Sequence, residues 1–522
     1  MARLSRDGYE PVARSSLDGE EIDLEDFKSS TSYPHRRAFP VHYCLSALIS
    51  AARGVRRRTR HWLPIAWNLR RLLSTIAWIL LALISFTFLF VPSYTHLPLH
   101  YAALRKVVQE STKSGRGNLR NSTVFIAVSL YDKNGALAGG QWGQALLDLI
   151  DMIGPDNVFL SIYENDSGVA GEGALQQLSD RVPCNKSIVY EDHFNFTGFP
   201  TVTLPDGSEH IRRVEFLAEV RNRALRPLDE YPELRFDRLL FLNDVYFHPL
   251  DALQLLFSTN TKNGVSDYRA VCAVDFINPF KFYDTFASRD LEGYSMGIPF
   301  YPWFTTAGKA QSRQDVLDGK DAVRVRSCWG GMVAFDAGFF QHPPLHPPSI
   351  TSTYKTNNQK EYMNRPSPVR FRAETDLFWE SSECCLIHAD IQTPPSLSSS
   401  PEEVTDTGIY MNPFIRVAYH PRSLSWLGVT RRFEKLYSLV HRITSRIAVL
   451  PVYNPRRTEV AGEEVQNKMW VADQSSPRGG KFSTVKRIAN GDGFCGRWDM
   501  QVLSRREENG EGGWKFIPVP SA

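Results

Sequence analysis

What the chain lacks narrows its function before any motif is read. It has no strong excess of one charge, since 60 lysines and arginines stand against 57 acidic residues for a net +3. Bulk electrostatic capture of nucleic acid is therefore excluded as its main task. It has no evident internal repeat, which argues against solenoid and propeller architectures. It is not poor in apolar residues, at 42% hydrophobic and 12% aromatic, so a substantial core can form and global disorder is excluded. Long hydrophobic runs are absent, with one exception.

That exception is residues 72–91, "LLSTIAWILLALISFTFLFV", which contain no ionisable side chain. A helix of that length spans roughly 30 Å, the thickness of a bilayer core, so the run is read as a transmembrane helix. Arg53, Arg56, Arg57, Arg58, Arg60, Arg70 and Arg71 precede it, whereas Arg105 and Lys106 are the nearest positive charges after it. The positive-inside rule then puts residues 1–71, a polar tail expected to be disordered, in the cytosol and everything after the span in a lumen. Sequons at Asn121, Asn165, Asn185 and Asn195 all fall on the luminal side. The compartment this implies is the Golgi or a related secretory membrane.

Six of the seven cysteines, Cys184, Cys272, Cys328, Cys384, Cys385 and Cys495, follow the span. In an oxidising lumen they can pair, with fifteen connectivities that sequence does not distinguish. Cys384 and Cys385, close to His388, also raise the idea of a nucleophilic cysteine, although no oxyanion-hole pattern accompanies them.

After a stem at 92–119, short apolar strands alternate with helical segments. "TVFIAVSLYD" reads as a buried strand, and Ala145, Leu146, Leu149, Ile150 and Ile153 form a helical face that Gly154-Pro155 stops. "NVFLSIYEND", "SIVYED", "FDRLLFLND" and "AVCAVDFINP" continue the pattern. This alternation predicts an α/β domain over 120–450 with a doubly wound, mainly parallel sheet. Two tracts, 341–370 and 392–407, read as surface loops, and 451–522 as a poorly ordered C-terminal tail.

In such a sheet ligands bind at the carboxyl ends of the strands. "RLLFLNDVYF" places Asn243 and Asp244 at the end of an apolar run, where a carboxylate can hold a divalent cation against a diphosphate. The plain alternative is a turn former at a strand end.

The ordered series "SLYDKNG", "FLSIYENDSG", "EVRNRAL", "FLNDVYF", "CAVDF", "FYDTFASRD", "WGGMVAFDA", "FWESSECCLIHADI" and "NPFIRVAY" resembles the fungal capsule-associated and cryptococcal α-1,3-mannosyltransferase family, over roughly residues 120–440. The resemblance implies a GT-A-like luminal domain behind an N-terminal transmembrane helix. It further implies retaining transfer of mannose from GDP-mannose to a mannoside or polysaccharide acceptor, with Mn2+ as cofactor. Asp244 is then the leading metal ligand, with Asn243 beside it and His388 as a later contact. The chain reads Asn243-Asp244-Val245 where many GT-A enzymes have Asp-x-Asp. Arg221 and Asn222 resemble the pair placed against the nucleotide, and Arg221 as a planar fork suits phosphate oxygens. Asp132 and Glu164 end the first two strands and are further nucleotide-side candidates.

A retaining transferase needs an anionic group near the anomeric carbon. Glu380 and Glu383, three residues apart and on one face if the segment is helical, are the candidates. "CWGGMV" would form a tight turn near the acceptor, with Trp329 as a stacking surface. Two other readings stay open: a non-catalytic family member that binds carbohydrate or scaffolds polysaccharide assembly, and a glycoside hydrolase using paired carboxylates.

Overall fold

The computed structural model describes residues 63–343, 367–392, 406–473, 479–504 and 513–520. The tail reading of 1–62 and most of both loop readings lie outside the described residues. Helix α1 (Leu63–Phe90) starts earlier than the apolar run, because Pro64 suits a helix start and Ala66, Leu69, Arg70 and Arg71 are good helix formers. Its section Leu69–Phe90 is long and apolar enough to cross a membrane. Its large side chains stand exposed, as in Trp78, Ile79 and Phe86. The stem contains α2 (Leu99–Glu110), whose Tyr101, Leu104 and Val108 are buried.

The domain is α/β, built on one large sheet. Its strands are β1 (Val124–Leu130), β2 (Val158–Asn165), β3 (Asn185–Glu191), β4 (Arg238–Leu242), β5 (Ala270–Asn278), β6 (Val323–Ser327), β7 (Met332–Asp336) and β8 (Ile409–Ala418). The short strand Arg289–Asp290 and then β6, β8, β5, β7, β4, β1, β2 and β3 lie side by side, and Lys281–Phe282 adds to β5. Strands β1 to β5 and β8 point the same way, so the sheet is mainly parallel, as expected. β1 and β4 are buried along their whole length, the signature of strands covered on both faces.

β7 runs against its neighbours β4 and β5. β6 runs against β8 and so points the same way as β7, with only Cys328, Trp329, Gly330 and Gly331 between the two. Helix α3 (Gln141–Ile153) buries Leu146, Leu149, Ile150 and Ile153. It stops at Gly154, which has φ 95° and donates its N–H to Ile150 O. Further helices include α4 (Gly168–Arg181), α5 (Arg213–Leu225) against β1 and β2, and α6 (Pro249–Ser258) against α3. They are followed by α7 (Glu383–Ile391), α8 (Pro421–Thr430) and α9 (Tyr437–Ile447).

The C-terminal segment differs from the poorly ordered tail expected. Glu464–Ala472 pairs with Gly480–Ile488, Gln501–Ser504 pairs with Gly513–Phe516, and Gly496–Trp498 pairs with Trp379–Ser381. Phe378, Met500 and Val502 share a small buried cluster with Leu204. A disulfide joins Cys385 to Cys495, and another joins Cys272 to Cys328. The ribbon strands expose alternating polar residues on the surface, which is why the sequence reads as a polar tail.

Candidate functional site

The carboxyl edge of the sheet gathers the candidate groups. β4 ends at Leu242, and the Asn243 amide donates to Gly331 O at 2.9 Å. That bond turns the chain across the start of β7. The Asn243 side chain is buried, and its Oδ1 accepts no hydrogen bond. Asp244 beside it is half-buried. Gly330 and Gly331 have φ of 58° and 64°, a region that L side chains occupy at a cost. A Cβ on Gly331 would lie 2.6 Å from Val245 Cγ1, and one on Gly330 would collide with Ala273 O. The glycines thus serve close packing against β5 and the Asn243 turn.

A buried ion pair faces this turn. Ser382 caps α7 by accepting from the Cys384 amide at 3.2 Å. This sets Glu383 in the first helical turn, where the helix field favours an anion. Arg221, from the middle of α5, approaches Glu383 Oε1 with Nη1 at 2.8 Å. Its guanidinium carbon lies 5.1 Å from the Trp329 ring centroid, a cation–π arrangement. Burial opposes the charge on Arg221, but its ionisable neighbours, the carboxylates of Glu383 and Asp244 among them, outweigh burial and raise its pKa. Arg221 thus pairs with Glu383 and lies within electrostatic reach of Asp244.

Behind Asp244 stands a second pair of acids. Asp275, near the end of β5, accepts from Tyr419 Oη at 3.1 Å and from the Asp284 amide at 3.1 Å. Burial and the neighbouring Asp284 carboxylate push Asp275 up to about 8. Burial likewise pushes Tyr419 upward, with Asp275, Tyr283 and Asp244 adding to it. Asp284 accepts from the Ala287 amide at 3.0 Å and from Ser288 Oγ at 2.9 Å. Sequence reasoning missed Asp275, Asp284 and Tyr419. The signal was present in "AVDF", an apolar strand closed by an acid as "FLND" is.

Other expected residues are placed elsewhere. His388 is fully buried one helical turn after Cys384: its Nδ1 lies 2.7 Å from Cys384 O, and its Nε2 faces Cys272 Sγ at 3.8 Å. Burial lowers it to about 4. Among the described residues the one close grouping of three or more His, Cys or acidic ligand atoms is Cys272, Cys328 and His388, and both of those sulfurs form a disulfide. His388 is therefore a core histidine and not a metal ligand. Asn222 has both amide atoms on the Phe371 backbone, at 2.8 and 2.9 Å, so it anchors that segment and does not face a nucleotide.

Asp132 accepts from the Leu137 and Ala138 amides, both at 2.9 Å, and closes the loop after β1. Glu164 is fully buried near Gly171 of α4. Glu380 and Glu383 do not share a helical face, because Glu380 lies in the strand Trp379–Ser381. There, burial pushes Glu380 up to about 7, against the pull of Arg212 at 3.9 Å. Trp329 is buried against Phe241 and Phe371 and supports Arg221, not an acceptor sugar. The nucleophilic-cysteine idea also falls: Cys385 is in a disulfide, and burial holds the Cys384 thiol well above its usual range. Asn165 is buried, so of the four sequons only those at Asn121, Asn185 and Asn195 present an exposed asparagine.

Comparison with known proteins bears on the same region. A curated relative, the alpha-1,3-mannosyltransferase CMT1 of Cryptococcus neoformans var. neoformans, is 24% identical over 210 residues, 38% of this chain. The match spans 43% of that relative's length. Among solved structures, the mannosyltransferase PcManGT from Pyrobaculum calidifontis, in complex with GDP-Man and Mn2+, aligns over 69% of this chain and 74% of its own, at 11% identity and a TM-score of 0.31. Mannosyl-3-phosphoglycerate synthase from Rubrobacter xylanophilus aligns over 76% and 92%, at 12% identity and a TM-score of 0.26. Similarity at that level carries no argument about chemistry. The model of the cryptococcal mannosyltransferase 1 family matches residues 123–390, just over half of the chain and all of the carboxyl-edge site up to Glu383. The chain therefore belongs to the cryptococcal mannosyltransferase 1 family.

Proposed function

We propose that the protein is a retaining α-mannosyltransferase that uses GDP-mannose and a divalent cation, in the first place Mn2+, and forms an α-1,3 linkage on a mannoside or polysaccharide acceptor. Family membership supports mannosyl transfer. The observation that carries the site assignment is the meeting of Asn243-Asp244 with the Arg221–Glu383 pair at one sheet edge. The donor set fits a hard cation: Asp244 supplies a half-buried carboxylate, and the buried Asn243 Oδ1 is an acceptor with no hydrogen bond. When bound, the cation offsets the negative charge of the departing diphosphate.

The chain's own groups do the rest. Glu383, held in place by Arg221 and the start of α7, supplies the anion that stabilises positive charge at the anomeric carbon. Arg221 acts through Glu383 as a positioning residue. In the transfer the bond from the anomeric carbon to phosphate oxygen breaks, with its electron pair leaving on GDP. The acceptor oxygen forms the new bond, and its proton passes to the departing diphosphate. Asp132 and Glu164 are both enclosed by the protein and are left out of the nucleotide contact. The full chain reads as a type II membrane protein of the Golgi or a related compartment, with α1 as its anchor and the catalytic domain luminal.

The test is mannose transfer from GDP-mannose to a panel of mannosides by the full chain in mild detergent, with and without Mn2+. Asp244→Asn should cost at least about 100-fold in turnover, and Asn243→Ala less. Failure of the wild type to transfer mannose or to hydrolyse GDP-mannose would favour the non-catalytic reading.

A further inference from the structure

A helix that turns its apolar side away from its own protein needs another partner, and α9 does so. His441 and Ser445 are its buried residues. His441 lies 3.1 Å from Arg313 Nη1 and 3.2 Å from Trp303 O, and Ser445 Oγ accepts from the Ile298 amide at 3.2 Å. These polar contacts fix which face meets the domain. At 100° per residue, Leu439, Val440, Ile443 and Ile447 form a continuous stripe on the opposite face. They are 65%, 55%, 51% and 77% exposed. Arg442 and Arg446 are exposed along one border of the stripe.

The position of this stripe says what covers it. The turn Arg431–Leu436 runs directly into α9 and holds the end of α1. Ser93 donates to Arg431 O at 3.2 Å, and Arg431 Nη1 donates to Tyr94 O at 3.1 Å. Arg432 lies with its guanidinium carbon 5.1 Å from the Phe88 ring centroid. An anchor that crosses a bilayer would therefore bring α9 to the bilayer surface with no further association step. An apolar stripe bordered by arginines is the pattern of a helix lying in the headgroup region, with its side chains among the acyl chains and its cations on phosphates.

We propose that α9 is a second membrane contact: it lies flat on the phospholipid bilayer that α1 crosses, seating its apolar stripe in the lipid. The proposal rests on the anchor reading above. It gives the domain two points of attachment, so the domain cannot swing freely about residues 91–98. Tyr419 of the candidate site lies two residues before α8, and α8 leads to the turn that holds α1. The seating therefore sets how high the sheet edge stands above the membrane.

The test places benzoylphenylalanine at Ile443, Ile447, Leu83 or Val189 in the full chain, reconstituted in phosphatidylcholine nanodiscs, irradiates it and identifies adducts by mass spectrometry. Leu83 reports the anchor. Val189 is an exposed residue on β3, at the opposite edge of the sheet. Lipid adducts are expected at Ile443, Ile447 and Leu83, and none at Val189. Ile443→Glu should abolish the adduct at Ile447 while leaving that at Leu83. Lipid adducts at Leu83 alone would overturn the proposal and keep the anchor. Adducts at Ile443 to a second copy, or to another segment of the chain, would overturn it in favour of a protein cover. Absence of lipid adducts at Leu83 and Ile443 together would overturn both readings, and adducts at Ile443 and Ile447 without Leu83 would overturn the anchor and, with it, the proposal that rests on it.

Discussion

The Arg221–Glu383 pair offers the most demanding experiment, because both groups are buried, at 6% and 3% exposure, and are 2.8 Å apart. Replacing Arg221 by methionine keeps an apolar stem over Trp329 but leaves the Glu383 carboxylate without its partner. Breaking a buried pair in this way costs about 3–5 kcal/mol, and the lost cation–π contact adds about 1 kcal/mol. Removing both charges, in Arg221→Met with Glu383→Gln, should return most of that loss, since a buried pair replaced by neutral groups is often close to neutral. The double-mutant cycle should then show a coupling of at least about 2 kcal/mol. Mannose transfer should stay lost in the double variant, because the anion is gone. The assay is pulse proteolysis of the full chain in detergent across a urea series, with transfer measured on the same samples. Additive effects, with Arg221→Met as stable as the wild type, would refute the claim that the pair organises this edge.

Further outcomes follow from the same geometry. Gly330→Ala should destabilise by more than about 2 kcal/mol, from backbone strain together with the collision at Ala273 O, whereas Gly173→Ala on open space in α4 should gain up to about 1 kcal/mol. Thermal melts of both variants check this. Asp275, pushed up to about 8 by burial and Asp284, favours the folded state when protonated. Its contribution is fully present below the unfolded carboxylate range and is lost as pH rises toward about 8. Asp275→Asn should flatten that decline in a pH series of melting temperatures. If the domain is luminal, Asn121→Gln, Asn185→Gln and Asn195→Gln should each remove a glycan in a gel-shift assay, while Asn165→Gln should not, since Asn165 is buried.

Much of this molecule was legible in the residue order because the signals are local. A charge-free run sets a long apolar helix, and the uninterrupted apolar stretches of β1 and β4 announce strands covered on both faces. "FLND" marks where such a strand surrenders an acid to the sheet edge, and the ordered motifs name the family. Pairing was not legible, because it depends on which elements the fold brings together. Glu383 meets an arginine 162 positions earlier only because α5 and α7 converge beside Trp329. Asn222 and His388 sit in motifs that looked functional, but the fold spends their polar atoms on the Phe371 backbone and the Cys384 carbonyl. The reversed course of β7, the choice of Cys272–Cys328 and Cys385–Cys495 and the outward apolar face of α9 were decided in the same way. Sequence carries each residue's chemistry, and only tertiary packing determines which groups share a low-dielectric space, where partners and burial set what that chemistry can do.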